Sequence, residues 1–241
     1  MDAGARLAKL RDEVREACRE SGRDPSSVRI LAVGKTKPWT ALAELAAAGQ
    51  VDFGENYVQE ALDKQSEAAN WAAADGASAR IAAGIRWHFI GALQSNKAKF
   101  LPGKFSLVHS IDRLSLVEAL EKAAAKLGHS IEVLIQVNVD DEAGKAGIAA
   151  AELPHILEAA NEFRFVRICG LMCIPDPERE TRAAFARLRE LREQAEASGA
   201  YGSALPELSM GMTGDFREAI REGSTIVRIG TALFGAREKP A

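Results

Sequence analysis

Short apolar runs that alternate with longer helical patterns are the feature that most restricts how this chain can fold. Eight runs are rich in β-branched or aromatic residues, and hydrophobic spacing typical of helices lies between them. The runs cover residues 30–33, 51–53, 87–90, 107–111, 133–139, 166–172, 207–209 and 225–229. Repeated strand and helix units predict a parallel sheet. Because eight such units occupy 241 residues, we expect a closed (β/α)8 TIM-like barrel, a single α/β domain that spans residues 1–241.

Two stretches lie outside the regular alternation. Leu7, Leu10, Val14 and Cys18 recur at helical spacing ahead of the first run, so they predict an extra N-terminal helix outside or beneath the barrel. The alanine-rich residues 68–83 have weak periodicity, and we expect the end of a helix followed by a surface loop there.

The charge balance, the hydropathy and the cysteine count restrict the possible binding partners and the cellular compartment. The sequence has 31 Lys and Arg against 34 Asp and Glu, so it has no broad basic field for nucleic acid or anionic lipid. No stretch is apolar enough for a signal peptide or a membrane span, which predicts a cytoplasmic protein. The 3 cysteines form no CxxC pair, and the 4 histidines lack ligand spacing, so we expect reduced thiols and no metal centre.

A lysine follows the first predicted strand, where a barrel places its active site. Lys35 stands in the segment LAVGKTKP, and Lys37 is two residues further on. A lysine at a strand end often only reaches toward solvent. If Lys35 is desolvated, its pKa falls, and the neutral amine can attack an aldehyde. Lys37 could repel a proton from Lys35 or bind an anion.

The segments around the last two predicted strands have the composition of an anion site. Ser209 ends the seventh run and Gly211 follows it, and Gly230 and Thr231 follow the eighth. Barrels often bind phosphate with these loops and a helix N-terminus, although each glycine could equally serve a turn. Arg228 lies two residues before Gly230, where strand alternation can point it to the barrel axis, or it could pair with a carboxylate.

Three further polar residues have less specific settings. Asn56, after the second run, could hydrogen-bond a ring substituent of a ligand or cap the next helix. His88, inside an apolar run, is expected to be a hydrogen-bonded core histidine. Lys145, after the fifth run, could close over the site or remain a solvated loop lysine.

Six segments together resemble one protein family along nearly the whole chain. They are LAVGKTKP, FGENYVQE, WHFIGALQSNK, GLMCIP, LSMGMTGDF and STIVRIGTALFGAR. They resemble the pyridoxal phosphate homeostasis protein family, which is similar to the N-terminal domain of alanine racemase. The resemblance implies a fold type III barrel that binds pyridoxal 5′-phosphate (PLP) as a Schiff base on Lys35. It also implies that Ser209, Gly230 and Thr231 hold the phosphate and that Arg228 faces the pyridine nitrogen.

The sequence departs from the family pattern at several positions. Gly34 and Thr213 stand where serine is usual, and Gly144 and Ala146 replace the serines that flank the loop lysine. None of these differences removes the proposed lysine or the phosphate groups. The last two weaken the expectation that the Lys145 loop adds polar contacts.

The resemblance implies a carrier that buffers PLP and delivers it to PLP-dependent apo-enzymes, rather than an enzyme. An amino-acid racemase is the main alternative, but it needs a second base, which related racemases take from a C-terminal β domain. Only residues 236–241 remain after Gly235, and neither Tyr57 nor Tyr201 has an evident catalytic position. Because the second domain of the racemase dimer is missing, we expect a monomer. A Schiff-base lyase acting on a phosphorylated substrate is the third interpretation.

Overall fold

The computed structural model describes residues 2–142, 144–176, 178 and 180–235. Its eight parallel strands follow chain order around a closed barrel, and the first strand pairs with the eighth. The fold class expected from the alternating pattern is therefore confirmed.

All eight predicted runs are strands. They are β1 Arg29–Val33, β2 Asp52–Glu55, β3 Arg86–Phe89, β4 Leu107–Ile111, β5 Ile131–Gln136, β6 Val166–Met172, β7 Glu207–Ser209 and β8 Ile226–Ile229. The prediction that the fifth run extends to residue 139 was wrong. Val137 pairs with Ile148 in an isolated bridge, and the Asn138 amide donates to the Ile148 carbonyl. The chain after Val137 therefore forms a loop and returns at Ile148 in the same direction, as a parallel bridge.

Helices surround the barrel. They are α1 Ala3–Glu20, α2 Trp39–Ala47, α3 Val58–Ala72, α4 Gly76–Ala83, α5 Leu114–Leu127, α6 Leu153–Ala160, α7 Thr181–Ser198, α8 Phe216–Arg221 and α9 Thr231–Phe234. Helix α4 corrects the surface loop expected within residues 68–83. The Asp75 side chain accepts from the amides of Ala77 and Ser78, and this N-cap starts a helix in an alanine-rich segment that favours one.

The predicted N-terminal helix is confirmed outside the barrel. Leu7, Leu10, Val14 and Cys18 are buried, and α1 packs against α2, α8 and α9. The Arg6 side chain donates to the Leu233 carbonyl at 2.6 Å, which attaches α1 to the last helix. Within the described segments, no helix combines the length and the apolar character that crossing a bilayer requires.

One glycine allows two loops at the carboxyl end of the barrel to touch. A Cβ added to Gly91, just after β3, would lie 2.0 Å from the Asn56 carbonyl oxygen, just after β2. That distance is far inside van der Waals contact, so no side chain fits there unless the backbone moves. Gly91 therefore sets how closely the Asn56 loop approaches the next strand.

Gly91→Ala should destabilise the protein. Overpacking of this kind costs about 1–3 kcal/mol, and urea unfolding measures the loss. Gly76→Ala is the matched control, because nothing lies within 4 Å of its added Cβ and it stands in the first turn of α4. The control should be as stable as the wild type or slightly more stable. Equal stability of Gly91→Ala and the wild type would contradict the close approach.

Candidate functional site

A cavity of about 290 Å³ opens at the carboxyl end of the barrel. Five residues singled out from the sequence line it, namely Lys35, Asn56, Arg228, Gly230 and Thr231. Parallel strands all end at this edge, which is why residues so far apart in sequence meet here. The volume is at the lower end of the range for ligand pockets, so it suits a small metabolite.

The loop after β7 supplies the residues that the sequence interpretation did not assign to the site. Met212, Thr213 and Gly214 line the cavity, and Val33, Ile90 and Ile174 add apolar walls. The sequence signal for Thr213 and Gly214 was a hydroxyl and a glycine just ahead of a short helix, in the loop where barrels often bind phosphate.

Ser209 and Gly211 do not line the cavity. Ser209 is fully buried, and its hydroxyl lies 2.8 Å from His109 Nδ1 and 2.9 Å from Arg228 Nη1. Gly211 has φ of +93°, and a Cβ there would lie 2.5 Å from the Ala219 Cβ. Gly211 therefore lets its loop pack closely on α8, and Ser209 supports Arg228 inside the barrel.

Arg228 is a buried cation whose described partners are neutral oxygens. Its Nη1 donates to the Ser209 carbonyl at 2.7 Å and to the Ser209 hydroxyl at 2.9 Å, and its Nη2 donates to the Cys173 carbonyl at 2.9 Å. Among the residues that the structure describes, it forms no ion pair. Burial lowers the pKa of Arg228. A buried guanidinium that lines a cavity without a carboxylate favours an electron-rich ligand atom beside it.

A chain of buried side chains continues from Arg228 to the amino end of the barrel. His109 Nε2 lies 3.0 Å from His88 Nδ1, and His88 Nε2 lies 2.9 Å from Asp52 Oδ1. Arg86 donates to both carboxylate oxygens of Asp52 at 2.7 Å. Burial alone would raise the pKa of Asp52, but hydrogen bonds from His88 and Arg86 lower it to about 2. His88 is thus the core histidine that the sequence predicted, whereas its pairing with His109 was not foreseen.

The carboxylate at one end determines the proton positions along this chain. Burial lowers the pKa of His88 and lowers that of His109 well below its ordinary value, so both rings are neutral. Ionised Asp52 can only accept, so His88 carries its proton on Nε2 and accepts on Nδ1. His109 then donates from Nε2 and accepts from the Ser209 hydroxyl, which in turn accepts from Arg228. All hydrogen bonds between neighbouring groups from Arg228 to Asp52 are therefore donated in the same direction, toward Asp52.

Nitrogen-15 NMR of histidine-labelled protein tests this assignment. At pH 7 we expect His88 and His109 to be neutral and protonated on Nε2, because burial opposes the charged form and Asp52 selects the tautomer. Asp52→Asn, which can donate as well as accept, should remove the preference at His88. Asp63→Asn, on the exposed surface of α3, is the control. A charged ring, or Nδ1 protonation of either histidine in the wild type, contradicts the chain.

Two other polar residues from the sequence interpretation can now be placed. The Asn56 side chain does not cap α3, and its Oδ1 is buried without a hydrogen-bond partner in the described part of the chain. Lys145 does not line the cavity, because its ammonium binds Asp140 at 2.7 Å and Glu142 at 3.3 Å. Asn56 thus lines the cavity and has an unused acceptor, and Lys145 forms ion pairs within its own loop.

Comparison with known proteins agrees with the fold. The family model described as alanine racemase, N-terminal domain, matches residues 6–238. The pyridoxal phosphate homeostasis protein of Pseudomonas aeruginosa is 46% identical over 235 residues, which is 96% of this chain and 94% of the relative. That of Escherichia coli K12 is 40% identical over 237 residues, which is 98% of this chain and 97% of the relative.

Solved structures with a similar fold include a member of the same family and a more distant racemase. PipY of Synechococcus elongatus, solved with PLP bound, has a TM-score of 0.80 and 36% identity, covering 97% of this chain and 100% of that one. Alanine racemase of Corynebacterium glutamicum, at 16% identity and a TM-score of 0.66, covers 95% of this chain and 61% of that one and shows the fold alone.

The match to the family model over residues 6–238 places this closed parallel barrel in the class of alanine racemase N-terminal domains. Its full-length relatives narrow the assignment further. The chain belongs to the pyridoxal phosphate homeostasis protein family, and the resemblance seen in the sequence motifs is confirmed.

Proposed function

We propose that this protein binds PLP in the barrel cavity, as a Schiff base on Lys35, and acts in PLP homeostasis by holding and delivering the cofactor. One observation carries the proposal. Lys35 and the buried Arg228, whose described partners are neutral oxygens, both line one cavity of about 290 Å³. The PLP-bound PipY structure and the names of the full-length relatives support the choice of ligand.

The residues of the cavity fit the functional groups of PLP. The buried Oδ1 of Asn56 has no hydrogen-bond partner among the described residues, which is costly unless a ligand donor meets it. The phenolic hydroxyl of PLP is such a donor. When bound, PLP supplies an aldehyde, with which a neutral lysine amine condenses to a C=N bond with loss of water.

The phosphate group is assigned to the loops after β7 and β8. Thr213, Gly214, Gly230 and Thr231 all line the cavity. The two threonines offer hydroxyl donors, and the two glycines permit a close approach of the ligand to the backbone. This assignment keeps Gly230 and Thr231 from the sequence interpretation. It moves the proposed role of Ser209 from holding phosphate to supporting Arg228.

Arg228 favours holding PLP over catalysis. A fixed cation beside the pyridine nitrogen opposes protonation of that nitrogen, and an unprotonated ring is a poor electron sink. The neutral chain from Ser209 to His88 adds no negative charge that would weaken this effect. The protein itself therefore contributes orientation and retention.

The positions of the tyrosines support a carrier over a racemase. Tyr57 is 60% exposed, and the Tyr201 hydroxyl accepts from the Ile168 amide at 3.1 Å. Neither tyrosine lines the cavity, so neither is placed to be the second base that a racemase needs.

The cellular setting is part of the proposal. We infer a monomer in the cytoplasm that passes PLP to PLP-dependent apo-enzymes. Cys18, Cys169 and Cys173 are free and buried, which suits a reducing compartment.

Borohydride reduction followed by peptide mass spectrometry tests the attachment site. Protein incubated with PLP should gain one adduct, located on Lys35, together with an absorption band that shifts on reduction. Lys35→Ala should lose both signals, and the neighbouring control Lys37→Ala should keep them. Wild-type protein that stays colourless with PLP, or an unchanged adduct yield in Lys35→Ala, would overturn the proposal.

Turnover of single amino-acid enantiomers separates the carrier from the racemase. PLP-loaded protein incubated with L-alanine should form no more D-alanine than free PLP does at the same concentration, because neither tyrosine is among the described residues that line the cavity. Chiral chromatography provides the measurement, with Lys35→Ala as the control. Multiple turnovers that depend on Lys35 would show an enzyme and refute the carrier role.

A further inference from the structure

The turn that carries Lys35 has a strained backbone. The Lys37 amide donates to the Gly34 carbonyl at 2.9 Å, which closes a four-residue turn with Lys35 and Thr36 in its middle. Thr36 has φ of +64°. The third position of such turns usually requires glycine or asparagine when φ is positive, and a β-branched side chain is unfavourable there. Other contacts must therefore hold this turn in place.

An ion cluster, buried at Glu55 and Lys64 and partly exposed at Glu60, binds the first and third residues of the turn. We call Glu55, Glu60 and Lys64 the turn clamp. The Lys64 ammonium donates to the Gly34 carbonyl at 2.8 Å, to Glu55 Oε1 at 2.8 Å and to Glu60 Oε1 at 2.7 Å. Glu60 Oε1 also accepts from the Thr36 amide at 2.6 Å. The turn clamp thus holds a carbonyl and an amide on the two sides of Lys35.

The turn clamp is anchored in the protein rather than in solvent. The Lys64 side chain is 5% exposed and the Glu55 side chain is fully buried, so water competes little for their contacts. A Cβ added to Gly34 would lie 2.6 Å from Glu55 Oε1, which shows how closely the carboxylate approaches the turn. Glu55 ends β2, and Lys64 and Glu60 lie on α3, so two barrel elements fix the position of the turn.

The turn clamp matters because the turn presents two lysines. Lys35 and Lys37 carry the same amine two residues apart, yet only Lys35 lines the cavity. If Thr36 relaxed to a negative φ, the two side chains would change direction relative to the barrel. Resting on the proposed attachment of PLP to Lys35, we propose that the turn clamp selects Lys35 over Lys37 as the amine that reacts with the aldehyde. Its members are positioning residues.

The choice between the two lysines can be measured directly. Protein is mixed briefly with substoichiometric PLP, reduced with borohydride and digested, and mass spectrometry gives the ratio of Lys35 to Lys37 adducts. Glu60→Ala removes the acceptor of the Thr36 amide and leaves the Glu55 and Lys64 pair. We expect the ratio to fall about tenfold, equivalent to about 1.4 kcal/mol. Glu67→Ala, an exposed change on the same helix, should leave the ratio unchanged.

A second readout needs no cofactor. Hydrogen exchange of the Thr36 amide in PLP-free protein should be about tenfold faster in Glu60→Ala than in wild type, because the amide loses its acceptor. In a Thr36→Gly background, Glu60→Ala should change the adduct ratio less, because glycine adopts positive φ without strain.

The outcomes separate this inference from the proposed function. If the wild type forms no adduct on either lysine, the proposed function fails, and Thr36 exchange still tests the turn clamp. Unchanged exchange and an unchanged adduct ratio in folded Glu60→Ala would overturn the turn clamp alone. Should circular dichroism show that Glu60→Ala is unfolded, Glu60→Gln replaces it. That variant keeps an acceptor oxygen without the charge. Its ratio of Lys35 to Lys37 adducts should be lower than that of the wild type and of Glu67→Ala, without the Lys37 adduct becoming the main product.

Discussion

A buried guanidinium inside the barrel is the constraint on which the candidate site depends. Arg228 cannot lie there without hydrogen-bond acceptors, and a carboxylate beside it would neutralise the charge that the cavity presents. The structure meets both conditions with carbonyl oxygens and a neutral chain that ends on Asp52, near the amino end of the barrel. Because both histidines are neutral, the chain fixes the geometry of Arg228 while the negative charge stays close to Arg86.

Closure of the barrel brings this cation to the side of the proposed lysine. β1 pairs with β8, and Leu31 lies opposite Arg228 in that register. The residues that follow these two strands are therefore neighbours, although nearly the whole chain separates them. A Cβ added to Gly230 would lie 3.7 Å from the Val33 Cβ, which shows how closely the ends of the two strands meet. The site is thus a consequence of strand order as much as of any single residue.

The sequence predicted most of the fold, because strand and helix alternation is a repeated signal that tolerates local errors. It failed where one local contact decides the outcome, as at Asp75, whose cap starts a helix in a segment with weak periodicity. In the site, Lys35 was singled out by its position at a strand end and Arg228 by strand alternation, and both residues line the cavity. Ser209 also ends a strand, yet its side chain points into the barrel interior. Its contacts with His109, 100 positions away, and with Arg228 show this orientation, and the sequence does not.

The two supports of the site act from different parts of the barrel. Arg228 is held through β3, β4 and β7, whereas the turn that carries Lys35 is held through β2 and α3. A ligand that bridges the two residues is therefore oriented at both ends by groups that do not themselves react. A racemase needs a reactive base on each face of its substrate. Here the buried polar side chains contact Arg228 and the turn that carries Lys35, an arrangement that suits the proposed role of holding a cofactor.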